Sequence, residues 1–421
     1  MASVATTPIF VRVTGGGAGG ISKLVLDGED IALLLKPILK SKRDLTAAVS
    51  GDLLFGRLLD QGASVVDEVV IAFIGKKESA TGNEQIELSC HGGAGALAAV
   101  EEALIAAGFQ AGGPTGLIER AHLRGKLSLI SIEAQLRLPH CVTSRQAEWL
   151  LNSRALQSAW ERHGFNLAVA MQAGEVLWQS PLYEAVETNL RLAHLGRKLL
   201  MQHHVVILGP VNAGKSTLAN ALARTERHII SDIPGTTLDR LDTPLEIRGL
   251  NILLSDTAGL RDAADPIERE GQERALKAAQ AAALRLVVLD GSRPPSEEDV
   301  QTVTRAAETG PTLLVLNKSD AGVDDHALGL GFFAGSEPLS ISARSGAGLQ
   351  ELAAAVEKIL LPKLDATSGP FTTRQENLLL QMKHTLQKGL PATEMIGLIR
   401  KFVGTRPDSE QLAGVLAEKI R

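Results

Sequence analysis

The residues that could do chemistry begin with a phosphate-binding loop. Residues 209–216 read GPVNAGKS, which fits the pattern GxxxxGK[ST], after an apolar run at 205–208 and before a helix-like stretch at 217–222. In such a loop the backbone N–H groups surround the phosphates, the lysine reaches the β and γ oxygens, and the hydroxyl binds Mg²⁺. The sequence therefore predicts a nucleoside triphosphate at Asn212, Ala213, Gly214, Lys215, Ser216 and Thr217.

Two later segments have the composition of switches that sense a γ-phosphate. The polar loop 231–237 reads SDIPGTT, in which Thr237 or Thr236 suits a hydroxyl ligand of Mg²⁺. The segment 256–259 reads DTAG at the end of an apolar run, where Asp256 can hold Mg²⁺ through water and a glycine N–H can meet the γ-phosphate. We assign further nucleotide contacts to Ser231, Asp232, Ile233, Pro234, Gly235, Thr236, Thr237, Asp256, Thr257, Ala258 and Gly259.

The base is indicated by a fourth motif. NKSD at 317–320 follows an apolar run, and the Asp320 carboxylate can accept two hydrogen bonds from the guanine edge, which adenine cannot offer. Asn317 and Lys318 brace the base and the phosphate loop. The next loop, with Ser342, Ala343 and Arg344, suits backbone contacts to the base oxygen. These residues predict GTP as the nucleotide.

The position after Gly259 bears on hydrolysis. Simple GTPases have there a glutamine that orients the attacking water, whereas this chain has Leu260. Either hydrolysis is feeble or another device replaces the glutamine, and Glu268 together with a cation beside the phosphates is a candidate. Glu268 also fits an ordinary solvated helix charge, so a nucleotide-binding module without turnover stays open at this stage.

Bulk properties limit the class of protein. A net charge of −5 and 3% aromatic residues argue against a globally basic or stacking nucleic-acid binder, and we expect no DNA partner. Cys90 and Cys141 are the two cysteines, which fits free thiols in a reducing compartment. The N-terminus lacks a targeting pattern, and no run of 18 uncharged apolar residues occurs. We expect a cytoplasmic protein without a membrane segment.

Patterning predicts a multidomain fold. Residues 1–118 mix strand-like and helix-like runs, as in an α+β domain, and 119–203 is helical. Residues 204–362 alternate strand and helix, as in an α/β P-loop domain with a parallel sheet, and 363–421 is helical again. Because the last piece has too small a core to stand alone, we predict that both helical stretches form one all-α domain into which the α/β domain is inserted.

Some elements can be placed individually. Ser144 is the predicted N-cap of a helix over 145–156, and further helices are predicted over 183–200, 373–388 and 409–420. Strands of the α/β unit are predicted at 205–208, 252–256, 286–290, 312–317 and 338–342. Strands and a helix of the N-terminal domain are predicted at 9–13, 23–26, 69–74, 85–90 and 95–107.

The motifs together resemble those of the tRNA-modifying GTPase family called MnmE or TrmE. The resemblance rests on GPVNAGKS, DIPGTT, DTAGLRD with IERE behind it, NKSD and SAR. It extends to IELSCHGG at 86–93 and ERAHLRGKL at 119–127. It implies a folate-binding-like N-terminal domain that also holds a homodimer, and a helical domain interrupted by the GTPase.

The resemblance also implies roles for single residues. The implied catalytic set is Lys215, Thr237 and Glu268, the last organising the hydrolytic water. Mg²⁺ would be held by Ser216 and Thr237, and a K⁺ ion standing in for an arginine finger by Asn212, Ser231, Ile233 and Thr236. The GTPase domains would pair across the dimer, and the partners would be a flavin-dependent MnmG-type protein and tRNA, whose wobble uridine receives a 5-carboxymethylaminomethyl-type group.

Departures from the family pattern leave two functions open. Glu87 and Lys126 match the 5-formyl-tetrahydrofolate pocket, but Val25 stands where an arginine is expected. The family ends in a cysteine followed by Gly-Lys, while no cysteine follows Cys141 here. One hypothesis is a GTP hydrolase of tRNA modification. The alternative is a GTP-dependent regulatory switch that has lost this chemistry.

Overall fold

The computed structural model describes residues 7–14, 19–113, 115–172, 179–225, 227–228, 242–256, 281–331, 337–362, 366–405, 412 and 415. Contacts divide the chain into two units: unit 1 comprises 1–136, 157–178 and 384–421, and unit 2 comprises 137–156 and 179–383. Both units include parts of the two helical stretches, so the domain boundaries given above remain predictions.

Unit 1 is built on a seven-stranded sheet in the order β3-β4-β5-β6-β2-β1-β7. Its neighbouring strands are antiparallel except for the parallel pair of β1 and β7. The strands are β1 (Ile9–Arg12), β2 (Ile21–Gly28), β3 (Leu39–Ser41), β4 (Leu53–Leu59), β5 (Val65–Ile74), β6 (Glu84–His91) and β7 (Gln110–Ala111). The four strands predicted here are confirmed, while β3, β4 and β7 were not predicted.

The two faces of this sheet differ. One face packs its alternate apolar side chains, such as Leu24 and Ile86, against the helices α1 (Ile31–Leu35) and α2 (Ala94–Ala106). On the other face Leu53, Phe55 and Val70 remain 72%, 61% and 45% exposed. Strand alternation therefore gives unit 1 a closed core on one side and an apolar surface on the other. We call these three residues the open face.

A buried polar cluster joins the next helix to the sheet. The Asp27 carboxylate is fully buried and accepts hydrogen bonds from Thr81 Oγ1, Asn83 Nδ2 at 2.8 Å and Gln85 Nε2 at 3.0 Å. Arg120 Nη1, on α3 (Gly116–Leu123), lies 3.0 Å from Asp27 Oδ1, and its side chain is 5% exposed. The buried charge is thus paired and hydrogen-bonded, as a low-dielectric interior requires. We call this set the Asp27 cluster.

Two further helices of unit 1 meet at a buried tryptophan. Trp160 is fully buried on α6 (Ser153–Gln172), with its ring 4.9 Å from that of Phe402 on α13 (Ala392–Val403). The helix α4 (Leu129–Arg137) begins where Leu129 N donates to Gly404 O at 3.1 Å. Leu412 and Val415 pack against α4, and the rest of the helix predicted over 409–420 lies outside the described residues.

Unit 2 contains a second seven-stranded sheet, in the order β14-β13-β12-β8-β11-β10-β9. The strands are β8 (Gln202–Leu208), β9 (Arg227–His228), β10 (Asp242–Ile247), β11 (Leu250–Asp256), β12 (Leu284–Asp290), β13 (Thr312–Asn317) and β14 (Leu339–Ser340). The pairs from β14 to β11 are parallel, and β10 and β9 are antiparallel. The predicted parallel sheet is confirmed. The helices between these strands include α8 (Lys215–Thr225), α9 (Glu297–Thr309) and α10 (Asp325–Leu328), and α11 (Leu349–Leu360) follows β14.

The helical part of unit 2 corrects one predicted cap. The helices are α5 (Ser144–Leu151), α7 (Gln179–Leu200) and α12 (Thr373–Gln387). Thr143, in extended conformation, caps α5: its Oγ1 accepts from Gln146 N at 3.2 Å and the Gln146 side chain bonds back. The prediction of Ser144 as the cap was wrong, because the neighbouring hydroxyl forms the full capping box. The helix also ends at Leu151 instead of continuing to Leu156.

A charged contact links α5 and α11 to the hairpin of β10 and β11. Glu357 accepts hydrogen bonds from Arg145 Nη1 at 2.5 Å and from Arg248 Nε at 2.6 Å. Arg145 Nη1 also donates to Arg248 O at 3.0 Å, and Thr143 Oγ1 donates to Gly249 O at 2.8 Å. We call the three charged side chains the Glu357 clasp.

The chain segments before β8 and after α11 meet at another tryptophan. Trp149 is 2% exposed, and a Cβ added to Gly196 would lie 2.9 Å from its Nε1, while one added to Gly369 would lie 2.9 Å from its Cζ2. Only glycine leaves room for the indole ring at both places. Among the helices that the structure describes, none has the length and hydropathy of a membrane span.

Candidate functional site

The phosphate loop lies where the sequence places it. Strand β8 ends at Leu208 and α8 begins at Lys215, so the loop delivers backbone N–H groups to the N-terminus of an 11-residue helix. Lys215 Nζ donates to Gly209 O at 2.7 Å and to Pro210 O at 2.8 Å, which holds the ammonium group over the loop. Ammonium, helix dipole and backbone donors all favour an anion here.

Asn317 joins the phosphate loop to two other loops. This side chain is 3% exposed at the end of β13; its Nδ2 donates to Ala213 O at 2.9 Å, and its Oδ1 accepts from Ala343 N at 2.9 Å. Gly214 has φ 93°, and any Cβ there would overlap the Asn317 amide nitrogen. The predicted bracing role of Asn317 therefore has a direct geometric basis.

Asp320 is held as a carboxylate. A hydrogen bond from the Ser342 side chain, then one from the Asp320 N–H itself, lowers the pKa of Asp320, and the charge of Arg344 adds to this. An ionised carboxylate only accepts hydrogen bonds, which matches the N–H donors of the guanine edge. The geometry thus brings Asp320, Ser342 and Arg344 together around one acceptor group.

Asp290 is a site residue that the sequence analysis missed. Lys318 has φ 68°, and its Nζ lies 2.6 Å from Asp290 Oδ2, at the end of the neighbouring strand β12. Burial raises the pKa of Asp290, but hydrogen bonds from Lys318 and Ser292 outweigh it and leave the pKa below its usual range. The available signal was the position of Asp290 at the carboxyl end of a parallel strand, where α/β proteins place ligand-binding groups.

The other predicted groups are placed only in part. Asp256 ends β11, in register with Ile207 of β8, and Ser216 lies in the first turn of α8. A serine hydroxyl is the hard oxygen donor that suits Mg²⁺. The following predicted residues lie outside the described part of the chain: Ser231, Asp232, Ile233, Pro234, Gly235, Thr236, Thr237, Thr257, Ala258, Gly259 and Glu268.

The two folate residues lie in unit 1. Glu87 on β6 forms an ion pair with Lys23 on β2. Val25 lies opposite Glu87 in the strand register and is buried. Lys126 follows α3 and packs its Cε near Gly82. The Glu87 carboxylate is therefore balanced by Lys23, while Val25 occupies the position where the resemblance leads one to expect an arginine.

Comparison with known proteins agrees with both halves of this description. Residues 204–318 match the family described as 50S ribosome-binding GTPase. Residues 8–126 match the family described as GTP-binding protein TrmE N-terminus. The two matches cover the sheet of unit 1 and, in unit 2, the chain from the strand before the phosphate loop to Lys318. They agree with an N-terminal domain of TrmE type and a P-loop GTPase domain.

Relatives align along nearly the whole chain. The tRNA modification GTPase MnmE of Roseiflexus sp. (strain RS-1) is 32% identical over 405 residues, 89% of this chain and 84% of that protein. The one of Thermus thermophilus is 32% identical over 417 residues, 93% of this chain and 91% of that protein. Among solved structures, the G domain of T. maritima FeoB is 24% identical, covers 38% of this chain and 99% of its own, and has a TM-score of 0.30. This chain is a GTPase and belongs to the MnmE family of tRNA modification GTPases.

Proposed function

We propose that this GTPase uses GTP hydrolysis in the modification of the wobble uridine of tRNA, in the cytoplasm and with a flavin-dependent MnmG-type partner. The observation that supports guanine selection is the linked set of Asn317, Ala213 and Ala343, with the carboxylate of Asp320 beside it. The tRNA role is supported by the relatives described above, which are named tRNA modification GTPases.

Guanine selection is tested at Asp320. Asp320→Asn presents an N–H where the carboxylate accepted, so GTP should bind at least about 10-fold more weakly and xanthosine triphosphate should bind better. Calorimetric titration with both nucleotides measures this. Asp324→Asn is the matched control, because Asp324 serves instead to cap α10. Unchanged GTP affinity in Asp320→Asn would contradict the assignment.

Triphosphate binding depends on Lys215, and catalysis is proposed to depend on Glu268 and Thr237. Lys215→Ala should abolish GTP binding, because the variant loses the cation that meets the β- and γ-phosphates. Ser216 and Thr237 would hold Mg²⁺, which would neutralise charge on the phosphates. Glu268→Gln should retain binding and lose phosphate release if Glu268 organises the water. Full phosphate release in Glu268→Gln would reject that role.

Potassium is the proposed replacement for an arginine finger. Leu260 cannot orient water, so hydrolysis needs another device. A cation beside the phosphates would stabilise the negative charge of the transition state, as an arginine finger does in other GTPases. Asn212 has φ 64° in the phosphate loop and is proposed to ligate K⁺ with Ser231, Ile233 and Thr236. Phosphate release measured in KCl and in NaCl at equal ionic strength decides the point, and equal rates would reject the ion.

Dimerisation through unit 1 is supported by the open face. Leu53, Phe55 and Val70 form an exposed apolar surface, and exposed apolar patches can mark protein–protein contacts. Phe55→Arg should convert a dimer to a monomer in sedimentation analysis. Phe165→Arg, which changes a 69% exposed phenylalanine on α6, is the control. A dimer that survives Phe55→Arg would place the contact elsewhere.

A second function is favoured by one observation. Val25 presents a buried aliphatic side chain next to Glu87, which takes an arginine out of the expected folate pocket. This favours a GTP-dependent regulatory switch without one-carbon chemistry. Calorimetry with 5-formyl-tetrahydrofolate, and analysis of 5-substituted wobble uridine in a deletion strain, separate the two. If folate binds and the deletion strain loses the uridine modification, the first function is supported. If folate does not bind and the modification is unchanged, the second function is supported.

A further inference from the structure

A polar chain crosses three strands of the unit 2 sheet outside the nucleotide loops. Ser255 Oγ donates a hydrogen bond to Asp242 Oδ1, and His204 Nε2 lies 2.7 Å from Ser255 Oγ. A serine hydroxyl has one proton, and this one is directed to the carboxylate. His204 Nε2 must therefore carry a proton and donate to Ser255. The order of the chain is His204 on β8, Ser255 on β11 and Asp242 on β10.

This chain lies where the two predicted switch segments join the sheet. Asp242 is the first residue of β10, directly after the segment that contains Thr237. Ser255 immediately precedes Asp256, the last residue of β11 and the first residue of the DTAG motif. The Ser255 hydroxyl thus connects the start of β10, where the first segment enters the sheet, to the end of β11, where the second segment leaves it.

His204 also holds a third such position through its backbone. The carbonyl of His204 accepts from Ala283 N at 2.8 Å, just after the segment that follows Asp256. Ala282 packs on Val206, two residues along β8. The side chain of His204 therefore holds the start of that segment and its carbonyl holds the end. The same strand ends four residues later, at Leu208, and leads directly into the phosphate loop, so the attachments lie on the strand that carries this loop.

The burial of Ser255 raises the free-energy cost of losing either of its hydrogen bonds. Ser255 is 8% exposed, and a buried hydroxyl that loses a partner is left with an unsatisfied group, which is more unfavourable than never having formed the bond. We infer that His204 is a positioning residue for GTP hydrolysis, which fixes through Ser255 and Asp242 the points at which both switch segments attach to the sheet. The inference rests on the proposed roles of Thr237 and of the DTAG segment.

The central test compares three variants in steady-state GTP hydrolysis. His204→Leu removes the donor and should lower kcat about 5- to 20-fold, the range expected for coupled neighbouring groups. His204→Gln places an amide N–H at the reach of Nε2 and should restore kcat to within about 3-fold of the wild type. Ser255→Ala breaks the same chain in its middle and should match His204→Leu.

Two further measurements separate positioning from a general loss of structure. The Kd for a fluorescent GDP should change less than about 2-fold, because GDP depends on the phosphate and base loops. The double variant His204→Leu/Ser255→Ala should be no slower than either single variant, since both remove one connection. His203→Leu is the matched control: His203 is the neighbouring histidine, but its Nε2 bonds to Lys198 O at 2.8 Å, so the kcat of this variant should stay near the wild type.

The inference is overturned if kcat is unchanged in His204→Leu, or if His204→Gln is as slow as His204→Leu. It is also overturned if the GDP Kd rises in parallel with the loss of kcat, or if the two single effects multiply in the double variant. Thr237→Ala tests the switch assignment separately, because wild-type hydrolysis there would reject the proposed role of Thr237. The His204 series is decided by its own kcat and Kd values whichever result Thr237→Ala gives.

Discussion

Two acidic side chains in this chain do the same structural task in different surroundings. Asp27 in unit 1 and Glu357 in unit 2 each hold a helix to a strand or hairpin through several hydrogen bonds. Asp27 is fully buried with one cation, Arg120, whereas the Glu357 side chain is 21% exposed between two arginines. The number of charged partners is therefore a poor guide to the free energy that an acidic side chain contributes to folding. Burial decides what happens when one partner is lost.

Arg120→Met should have the largest effect, because it leaves the Asp27 charge buried without a cation. The free energy of unfolding of unit 1 should fall by about 3–5 kcal/mol. Hydrogen exchange of peptides from β2 and α3 measures it locally. The double variant Asp27→Asn/Arg120→Met should recover part of the loss, since the uncompensated charge is gone. A loss below about 1 kcal/mol in the single variant would erase the contrast with Glu357.

Glu357→Gln should have a smaller effect that depends on pH. Burial raises the pKa of Glu357, but hydrogen bonds from Arg248 and then Arg145 outweigh it, so the pKa lies below the usual 4.5. A lowered pKa stabilises the folded state above the unfolded-state pKa, and this contribution is lost as pH falls through the folded-state pKa. We expect about 1 kcal/mol between wild type and variant at pH 7, fading below about pH 4.5.

Thermal unfolding at several pH values measures the Glu357 contribution. Glu351→Gln on the same helix changes an exposed carboxylate and serves as the control. A difference that persists undiminished in acid would mean that the clasp acts through packing instead of charge. It would also weaken the comparison with Asp27, because charge would then matter at only one of the two sites.

The smallest effect is expected at an ion pair of unit 1 in which the histidine is exposed and the aspartate is buried. His91 Nδ1 lies 2.5 Å from Asp67 Oδ1, and this hydrogen bond raises the pKa of His91, whose side chain is 69% exposed. A raised histidine pKa stabilises the folded state below the usual value near 6.5, and this contribution is lost as pH rises through the raised pKa. Asp67→Asn should return the His91 titration, followed by NMR, toward 6.5.

Glu68→Gln is the control for that titration, because Glu68 acts on His91 only through charge. It should shift the midpoint less than Asp67→Asn does. Equal shifts in the two variants would show that the pKa of His91 is raised by nearby negative charge and not by a specific hydrogen bond to Asp67.

The sequence predicted the elements whose pattern is local. Strands of the parallel sheet are continuous apolar runs, because both faces are covered, and the phosphate and base motifs lie at their ends. Strand β10 escaped prediction, since Pro244 and alternating polar residues mask it, and proline in a strand normally argues against one. Its antiparallel pairing with β11 is a property of the folded sheet.

Residues that act through distant partners could not be predicted. Asp27 and Arg120 are 93 positions apart, and Asp290 and Lys318 are 28 apart, so no local sequence pattern predicts either ion pair. The choice between Thr143 and Ser144 as cap was of the same kind. Either hydroxyl could serve locally, and Thr143 also donates to Gly249 O, a contact across 106 positions.

The meeting of Gly196 and Gly369 at Trp149 has a consequence for how such a chain can be assembled. The segment between the two glycines leaves and returns at one indole ring, so the two ends of the stretch that carries the phosphate and base loops lie close together. Close ends are the geometry that domain insertion needs, and the insertion of the α/β domain predicted from the sequence requires this closeness.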